Sequence, residues 1–452
     1  MESFSTFLRA NEPVHNFNEL KDVVTVSDND HVVIVGAGQA GGDLAANLRE
    51  KAFSGRITLI GDEDSYPYSR PPLSKAYLLG NKIRSDLLVR SDEMYGRFDI
   101  DVKLGTRVKS IDRQRKRITF GESEHLDYDA LVLATGGSPR TYPDERLNSS
   151  SNVFYMRALD QVERLRPHLT SGTRLTVIGG GYIGLEVAAV ARTLGVAVTV
   201  IEREQRLLAR VTSPVMSSFF DRIHREEGVA LHTGRSVSGF DFSPDRELSR
   251  VVLDDGTIIE TDVCLIGIGL QPNTALAEAA GVEVNDGIIV DSLLQTSDPS
   301  IFAVGDVARY PCSESGGTRR LESIPNSTEQ ARALAQTLVG NPAPYNAIPW
   351  FWSDQYELKL QVVGLISPSD AVVVRGDPQH DRSISVFYIR NDEVRAADVV
   401  SNPREFAMAR KLVTKRAVVD PAKLGDASFP LKDLLPVVNS SFSVGGMPAY
   451  HH

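Results

Sequence analysis

The stretch LTVIGGGYIGLEVAAVARTLGVAVTVIERE, Leu175–Glu204, reads as a strand, a glycine-rich turn, a helix and a second strand. Gly179, Gly181 and Gly184 spell GxGxxG. The first glycine turns the chain sharply, the second lets backbone approach a diphosphate, and the third brings helix against strand. The helix then presents free N–H groups and the positive end of its dipole to the phosphates. Gly195 is placed to stop it. Glu202 ends the second strand, 18 residues after Gly184, where a carboxylate can accept from an adenosine ribose.

The same plan occurs earlier in the chain. HVVIVGAGQAGGDLAANL, His31–Leu48, carries Gly36, Gly38 and Gly41, and RITLIGD ends at Asp62, 21 residues after Gly41. Ala40 and Ile183, each just before a third glycine, belong to the same two turns. A lone GxGxxG is weak evidence, but two with the right strand, helix and terminal carboxylate are strong. The echo continues in YDALVLATGGSPR (Tyr128–Arg140) and TDVCLIGIGLQPN (Thr261–Asn273), each preceded by a polar, alternating stretch that reads as an antiparallel meander. The basic run RQRKR, Arg113–Arg117, falls between two strand patterns and reads as a solvated turn. After the second copy, DGIIVDSLLQTSDPSIFAVGDVARY returns to strand and turn patterns assigned to the first, so the second copy is an insertion. From Pro349 the pattern alternates like an antiparallel sheet, followed by a helical REFAMARKLVTKR.

Two adenine dinucleotides in one chain imply an electron donor and an acceptor held face to face, a soluble nicotinamide and a resident flavin. The fold class expected is α/β: two Rossmann-like FAD/NAD-binding domains in a glutathione-reductase-like arrangement, plus a C-terminal α+β domain. The expected boundaries are an extension over 1–29, a first FAD-binding segment over 30–137, an inserted NAD-binding domain over 138–264, a second FAD-binding segment over 265–342, the C-terminal domain over 343–437 and a tail over 438–452.

Composition narrows the function classes. Lys plus Arg is 49 against 59 for Asp plus Glu, a formal charge of −10, which argues against a general nucleic-acid or anionic-membrane binder. No apolar run approaches the ~20 residues of a membrane span, and the N-terminus lacks a secretory pattern. The two cysteines, Cys264 and Cys312, form no CxxC or CxxxxC pair, so neither a zinc knuckle nor a redox disulfide is written here, and no metal is expected. Buried thiols in a reducing cytoplasm are the simpler reading.

SRPPLSKAYLLG (Ser69–Gly80), the paired glycine turns, TSDPSIFAVGDVAR (Thr296–Arg309), and IPNSTEQARALAQTLVG with PWFWSDQYELKLQVVG (Ile324–Gly340, Pro349–Gly364) together resemble the oxygenase-coupled NADH–ferredoxin reductases, over residues 30–437. The resemblance implies FAD in the first copy, NADH in the second and a C-terminal domain covering the flavin. It implies that Lys75 lies beside the reactive edge of the flavin, where an ammonium favours negative charge on the reduced ring; an exposed loop lysine is the plain rival. It implies that Glu186 approaches the nicotinamide and pairs with Lys75, against simple stabilisation of a helix start by a carboxylate. Asp306 corresponds to a ribityl contact, with capping of a helix starting at VARY as a second job. Ile324 corresponds to a backbone contact at the ring edge, and Arg70, Val108 and Arg157 to further FAD contacts. Thr135 and Gly136 are expected beneath the adenine side, and Trp352 near the flavin ring, with core packing of both tryptophans the alternative. Glu202 favours NADH by repelling the 2′-phosphate of NADPH, though Arg203 and Arg206 nearby soften that discrimination.

The reaction implied is hydride transfer from NADH to FAD with the rings ~3–3.5 Å apart, then single electrons to a small 2Fe–2S ferredoxin feeding a terminal oxygenase of haem or Rieske type. Arg404, Arg410, Lys411, Lys415 and Arg416 offer a docking patch on an otherwise acidic chain, equally explained as a solvated helix face. A monomer or weak dimer is expected. Three alternatives stay open: an NADH oxidase or disulfide reductase, disfavoured by the lack of cysteine in Tyr66–Gly80; a monodehydroascorbate-type reductase with a small organic acceptor; and a flavin-bearing signalling or scaffold protein.

Overall fold

The computed structural model describes residues 24–312 and 316–435. Most of the expected N-terminal extension and the whole of the tail lie outside the described residues. His31–Val35 is an unbroken buried strand, as a β-branched run between two parallel neighbours should be. It is the middle of a five-stranded parallel sheet in the order Ile301–Ala303, Ala130–Leu133, His31–Val35, Arg56–Ile60, Ile100–Lys103. Val33 and Ile34 are fully buried in it, and each such side chain stabilises the fold by roughly 1.5–3 kcal/mol. A second parallel sheet repeats the plan with the order Ala230–Thr233, Ala197–Glu202, Arg174–Ile178, Val263–Ile266, Val153–Phe154.

Ile301–Ala303 pairs with Ala130–Leu133 although the whole second sheet lies between them in sequence. The second unit is therefore inserted in the first. The chain crosses between the units where Gly137–Pro139 runs antiparallel to Leu270–Pro272. Gly137 has no room for a side chain there: a Cβ would stand 2.3 Å from Leu270 and 2.8 Å from the Gln271 carbonyl. Val263–Ile266 belongs to the second sheet, so a boundary at 264/265 falls inside a strand, and the physical crossing comes at the antiparallel pair beyond it.

A three-stranded meander accompanies each sheet, Val108–Asp112 with Arg117–Phe120 and Glu124–Asp127, and Val237–Phe242 with Leu248–Leu253 and Ile258–Glu260. RQRKR turns the first of them, with Arg113 on Asp298 at 2.7 Å and Arg117 on Asp127 at 2.5 Å. One expectation fails here. VARY starts no helix: Ala308–Cys312 is a strand, paired with Ile288–Ile289 and with Gly317–Arg319. Its alternating buried and half-buried side chains suit a sheet edge rather than a helix face, so Asp306, itself within the short 3-10 turn Gly305–Val307, caps no helix after it.

The C-terminal domain is an antiparallel sheet in the order Trp350–Gln355, Leu358–Gly364, Glu393–Val400, Ser385–Arg390, Ala371–Arg375, with the helix Pro403–Thr414 packed on it. A single apolar cluster joins this sheet (Leu360, Val386, Tyr388) to the inserted unit (Leu185, Phe219, Phe220) and to the PPLSK segment (Leu73, Tyr77). That shared core holds three separate parts of the chain around one cleft.

Candidate functional site

The cleft between the two glycine turns has a volume of about 2520 Å³, well above the roughly 300–1,000 Å³ of a single small-ligand site. At its first end, Gly36 has φ +116°, and a Cβ on it would stand 2.1 Å from the Ala134 carbonyl. A Cβ on Gly41 would come within 2.0 Å of the Gly36 carbonyl, whereas Gly38 faces open space. The helix Gln39–Glu50 starts there with no side chain capping its N–H groups. Gly179, Gly184 and Gly181 repeat these three roles: clashes at 2.3 Å with the Gly267 carbonyl and 2.2 Å with the Gly179 carbonyl, and open space at the middle position. The helix Tyr182–Thr193 also begins uncapped. Two sets of free N–H groups behind two side-chain-free hollows fit two diphosphates, with Asp62 and Glu202 on the cleft wall beside them.

Glu202 accepts from the backbone N–H of Gly180 at 2.7 Å and of Glu204 at 2.8 Å, which fixes its carboxylate at the cleft. Of the two arginines expected to soften its selectivity, Arg203 lines the cleft beside it and Arg206 is occupied elsewhere. Arg206 turns inward and donates to the carbonyls of Thr212 and Ala209, both at 2.8 Å, and to Ser217 Oγ at 2.6 Å. Arg203 is largely exposed and pairs with Glu204 at 3.1 Å.

Toward the first unit, several anticipated residues meet. Arg157 Nη2 lies 2.8 Å from Asp306 Oδ2, and its guanidinium stands against Gly136. Arg70 donates to the Arg157 carbonyl at 2.7 Å and to Glu63 at 2.5 Å. Thr135 lines the cleft at the crossing between units, exchanging hydrogen bonds with Asn273 at 2.8 and 2.9 Å. Ile324 opens the helix Ile324–Leu338 at the cleft wall, behind the cap Ser323. Trp350 and Trp352 both line the cleft, their ring centroids 5.7 Å apart, and Arg410 lies over Trp350 at 5.2 Å. Ala40 and Ile183 line it as well. Gly41 and Gly184 pack behind the turns, and Val108 stands in the meander against the first core, away from the cleft surface.

The centre of the cleft holds an ion pair. Lys75 Nζ is 2.6 Å from Glu186 Oε2, with side chains 14% and 2% exposed. Lys75 leaves the short helix Pro71–Ser74, whose two prolines fix its backbone, and donates also to the Pro71 carbonyl at 3.1 Å. Glu186 is the fifth residue of its helix, one turn in from the start, and it faces the interior rather than the helix end. It accepts from Ser74 Oγ at 2.5 Å and, on its other oxygen, from Ser353 Oγ at 2.6 Å. A buried ion pair is tolerable when its remaining lone pairs are satisfied in this way. Sequence reading singled out Lys75 and Glu186 but missed both serines; Ser74 stood next to Lys75, and Ser353 was a polar residue one position from Trp352.

Neither cysteine lines the cleft. Both are buried, and burial pushes the Cys264 thiol up to about 12. No helix among the described residues is long and apolar enough to cross a membrane.

The chain is 44% identical to putidaredoxin reductase of Pseudomonas putida over 92% of its own length and 99% of that protein. It is 40% identical to rhodocoxin reductase of Rhodococcus erythropolis over 89% and 93% of the two chains. Among solved structures it matches the covalent putidaredoxin reductase–putidaredoxin complex with a TM-score of 0.88 and 44% identity, covering 90% of this chain and 98% of that one. Residues 350–435 fit the family model described as reductase C-terminal. With residues 30–331, both glycine turns and the Lys75–Glu186 pair among them, fitting the other model, the chain belongs to the pyridine nucleotide-disulphide oxidoreductase family.

Proposed function

We propose that the chain is an FAD-dependent NADH:ferredoxin oxidoreductase that works in the cytoplasm and supplies electrons to a terminal oxygenase. The observation that carries this reading is the Lys75–Glu186 pair, one residue from each dinucleotide unit, in a cleft wide enough for both ligands. FAD, held in the first unit, would supply the redox chemistry: two-electron acceptance from a nicotinamide and one-electron release.

The residues of the chain position and exclude. Free N–H groups behind Gly38 and Gly181 hold the diphosphates, Asp62 and Glu202 accept from the ribose hydroxyls, and Arg70, Arg157 and Asp306 bind the flavin side. Lys75 would offer a positive charge to a reduced flavin, and Glu186 keeps that ammonium in register. Trp352 and Ile324 wall the site against water, and the plain chain of contacts around Glu202 favours NADH over NADPH. The acceptor is a small 2Fe–2S ferredoxin, a reading supported by the solved complex of putidaredoxin reductase with putidaredoxin. We place its docking face on the helix Pro403–Thr414, where Arg410 covers a tryptophan of the cleft wall.

Stopped-flow mixing tests the whole reading. NADH should bleach the flavin absorbance in a single phase, and an oxidised 2Fe–2S ferredoxin should restore it. Protein that stays colourless after incubation with FAD, or reduced flavin that ferredoxin leaves reduced, would overturn it. Arg410→Glu with Lys411→Glu should raise the KM for ferredoxin roughly tenfold or more at low salt and leave NADH turnover with ferricyanide unchanged.

A further inference from the structure

The carboxylate of Glu186 ends a hydrogen-bonded chain that leaves the cleft altogether. Ser353 Oγ lies 2.6 Å from Glu186 Oε1, Gln355 Nε2 lies 3.3 Å from Ser353 Oγ, His224 Nε2 lies 2.8 Å from Gln355 Oε1, and the Tyr356 hydroxyl lies 2.9 Å from His224 Nδ1. Glu186, Ser353, Gln355 and His224 are all buried. Ser353 and Gln355 share one face of the strand Trp350–Gln355, opposite the face that carries Trp350 and Trp352. His224 comes from the helix Pro214–Glu226 of the inserted unit.

Chemistry allows only one direction along this chain. A carboxylate accepts and cannot donate, so Ser353 must give its hydroxyl proton to Glu186. The oxygen of Ser353 is then free to accept, and the amide end of Gln355 supplies the proton. That turns the carbonyl end of Gln355 toward His224, which must carry its proton on Nε2. Burial holds the His224 imidazole down at about 4, so it is neutral near pH 7. A neutral ring protonated on Nε2 leaves Nδ1 as an acceptor, and Tyr356 donates to it.

We propose that Gln355 and His224 are positioning residues for hydride transfer, forming with Ser353 and Tyr356 a one-way series of donors that ends on Glu186 and holds it as a fixed counter-charge to Lys75. Every dipole in the series points its positive end at the carboxylate, so the members polarise one another. The amide of Gln355 interrupts any proton path, and the series orients charge rather than conducting protons. The proposal rests on the assignment of Lys75 and Glu186 to the reacting edge of the flavin.

The test begins without substrate. In the flavin-bound protein labelled with ¹⁵N-histidine, His224, identified among the nine histidines by its loss in His224→Phe, should be neutral and protonated on Nε2 at neutral pH. Glu186→Gln frees the end of the chain, since an amide there can donate as well as accept, and should bring the second tautomer into view. In stopped-flow, Gln355→Leu and Ser353→Ala should each slow flavin reduction by NADH about three- to tenfold, the worth of one ordinary hydrogen bond, with the Kd for NADH unchanged. If Gln355→Leu does not fold with its flavin, Ser353→Ala, a smaller change, carries the comparison. A proton on Nδ1, a tautomer indifferent to Glu186→Gln, or reduction rates equal to the parent's would overturn the proposal. The tautomer is read before NADH is added, so a failed electron-transfer function and a failed positioning chain give different results.

Discussion

Lys75 Nζ and Glu186 Oε2 stand 2.6 Å apart although the first belongs to one dinucleotide unit and the second to the other. The pair is therefore a fastening between domains as well as a charge arrangement. Removing one member of a buried ion pair strands the other in a poorly solvated place, whereas removing both leaves only a packing change. Lys75→Met and Glu186→Gln should each lower the midpoint of thermal unfolding, by an amount equivalent to about 3–5 kcal/mol if no water replaces the lost partner. The double variant should be more stable than either single one. All three should reduce flavin slowly, because the positive charge is lost or loosened. A double variant that adds the two losses would show that the pair is not a coupled unit.

In the proposed function Glu202 sets the donor preference, through a carboxylate that two backbone N–H groups hold. Glu202→Gln keeps the size and one acceptor, so the turn at Gly180 survives, but it removes the charge that repels a 2′-phosphate. The ratio of kcat/KM for NADH over NADPH should fall by roughly ten- to a hundredfold, the span of one charge-assisted hydrogen bond of about 1.5–3 kcal/mol. Arg206 is tied to Thr212, Ala209 and Ser217, so Arg206→Ala should leave that ratio as it was. Steady-state kinetics with the two nucleotides decides both points.

The glycine turns, the parallel sheets and the insertion were legible because each depends on neighbours in sequence: three glycines, a strand, a helix and a terminal carboxylate. What escaped depends on register and on direction. Ser353 and Gln355 alternate with the tryptophans of their strand, so the polar pair was visible as a pattern, but its target on another domain was not. The charge of Arg206 was legible, while the carbonyls that draw it inward belong to a loop whose path only the fold determines. VARY was misread for the opposite reason. Four residues are too few to separate a helix start from an edge strand, and the pairing with Gly317–Arg319 made the choice.

Asp398 should give the stability of the protein a distinct pH dependence. Its side chain is fully buried between the C-terminal sheet and the inserted unit, where Thr212 donates to it and Tyr388 donates at 2.6 Å. Burial pushes its carboxyl from 3.8 up to about 6, and the two donors only partly oppose this. The native state therefore holds a proton that the unfolded chain has released between those two values, so stability falls as pH rises through that window. The contribution is complete below 3.8 and gone above about 6. Asp398→Asn cannot ionise, so relative to the parent it should gain on the order of 3 kcal/mol between pH 4 and pH 7. Urea unfolding of both proteins across that range measures the difference, and a difference that does not change with pH would remove the assignment.

The final contrast separates folding from cofactor binding within one turn. A Cβ on Gly41 would stand 2.0 Å from the Gly36 carbonyl, backbone against backbone, so Gly41→Ala must push the helix Gln39–Glu50 away from the strand it packs on. Strain of that kind costs about 1–3 kcal/mol and should lower the unfolding midpoint with or without FAD. Gly38 has φ −93° and nothing within 4 Å of a Cβ, so Gly38→Ala should leave the apoprotein within about 0.5 kcal/mol of the parent. Its methyl group nevertheless fills the hollow in front of the free N–H groups, and the purified protein should lose flavin, read as a lower ratio of flavin to protein absorbance. Gly184→Ala and Gly181→Ala should repeat the contrast in the inserted unit, the second raising the Kd for NADH while flavin content holds. Normal flavin content in Gly38→Ala would mean that the diphosphate does not sit where the first turn leaves room for it.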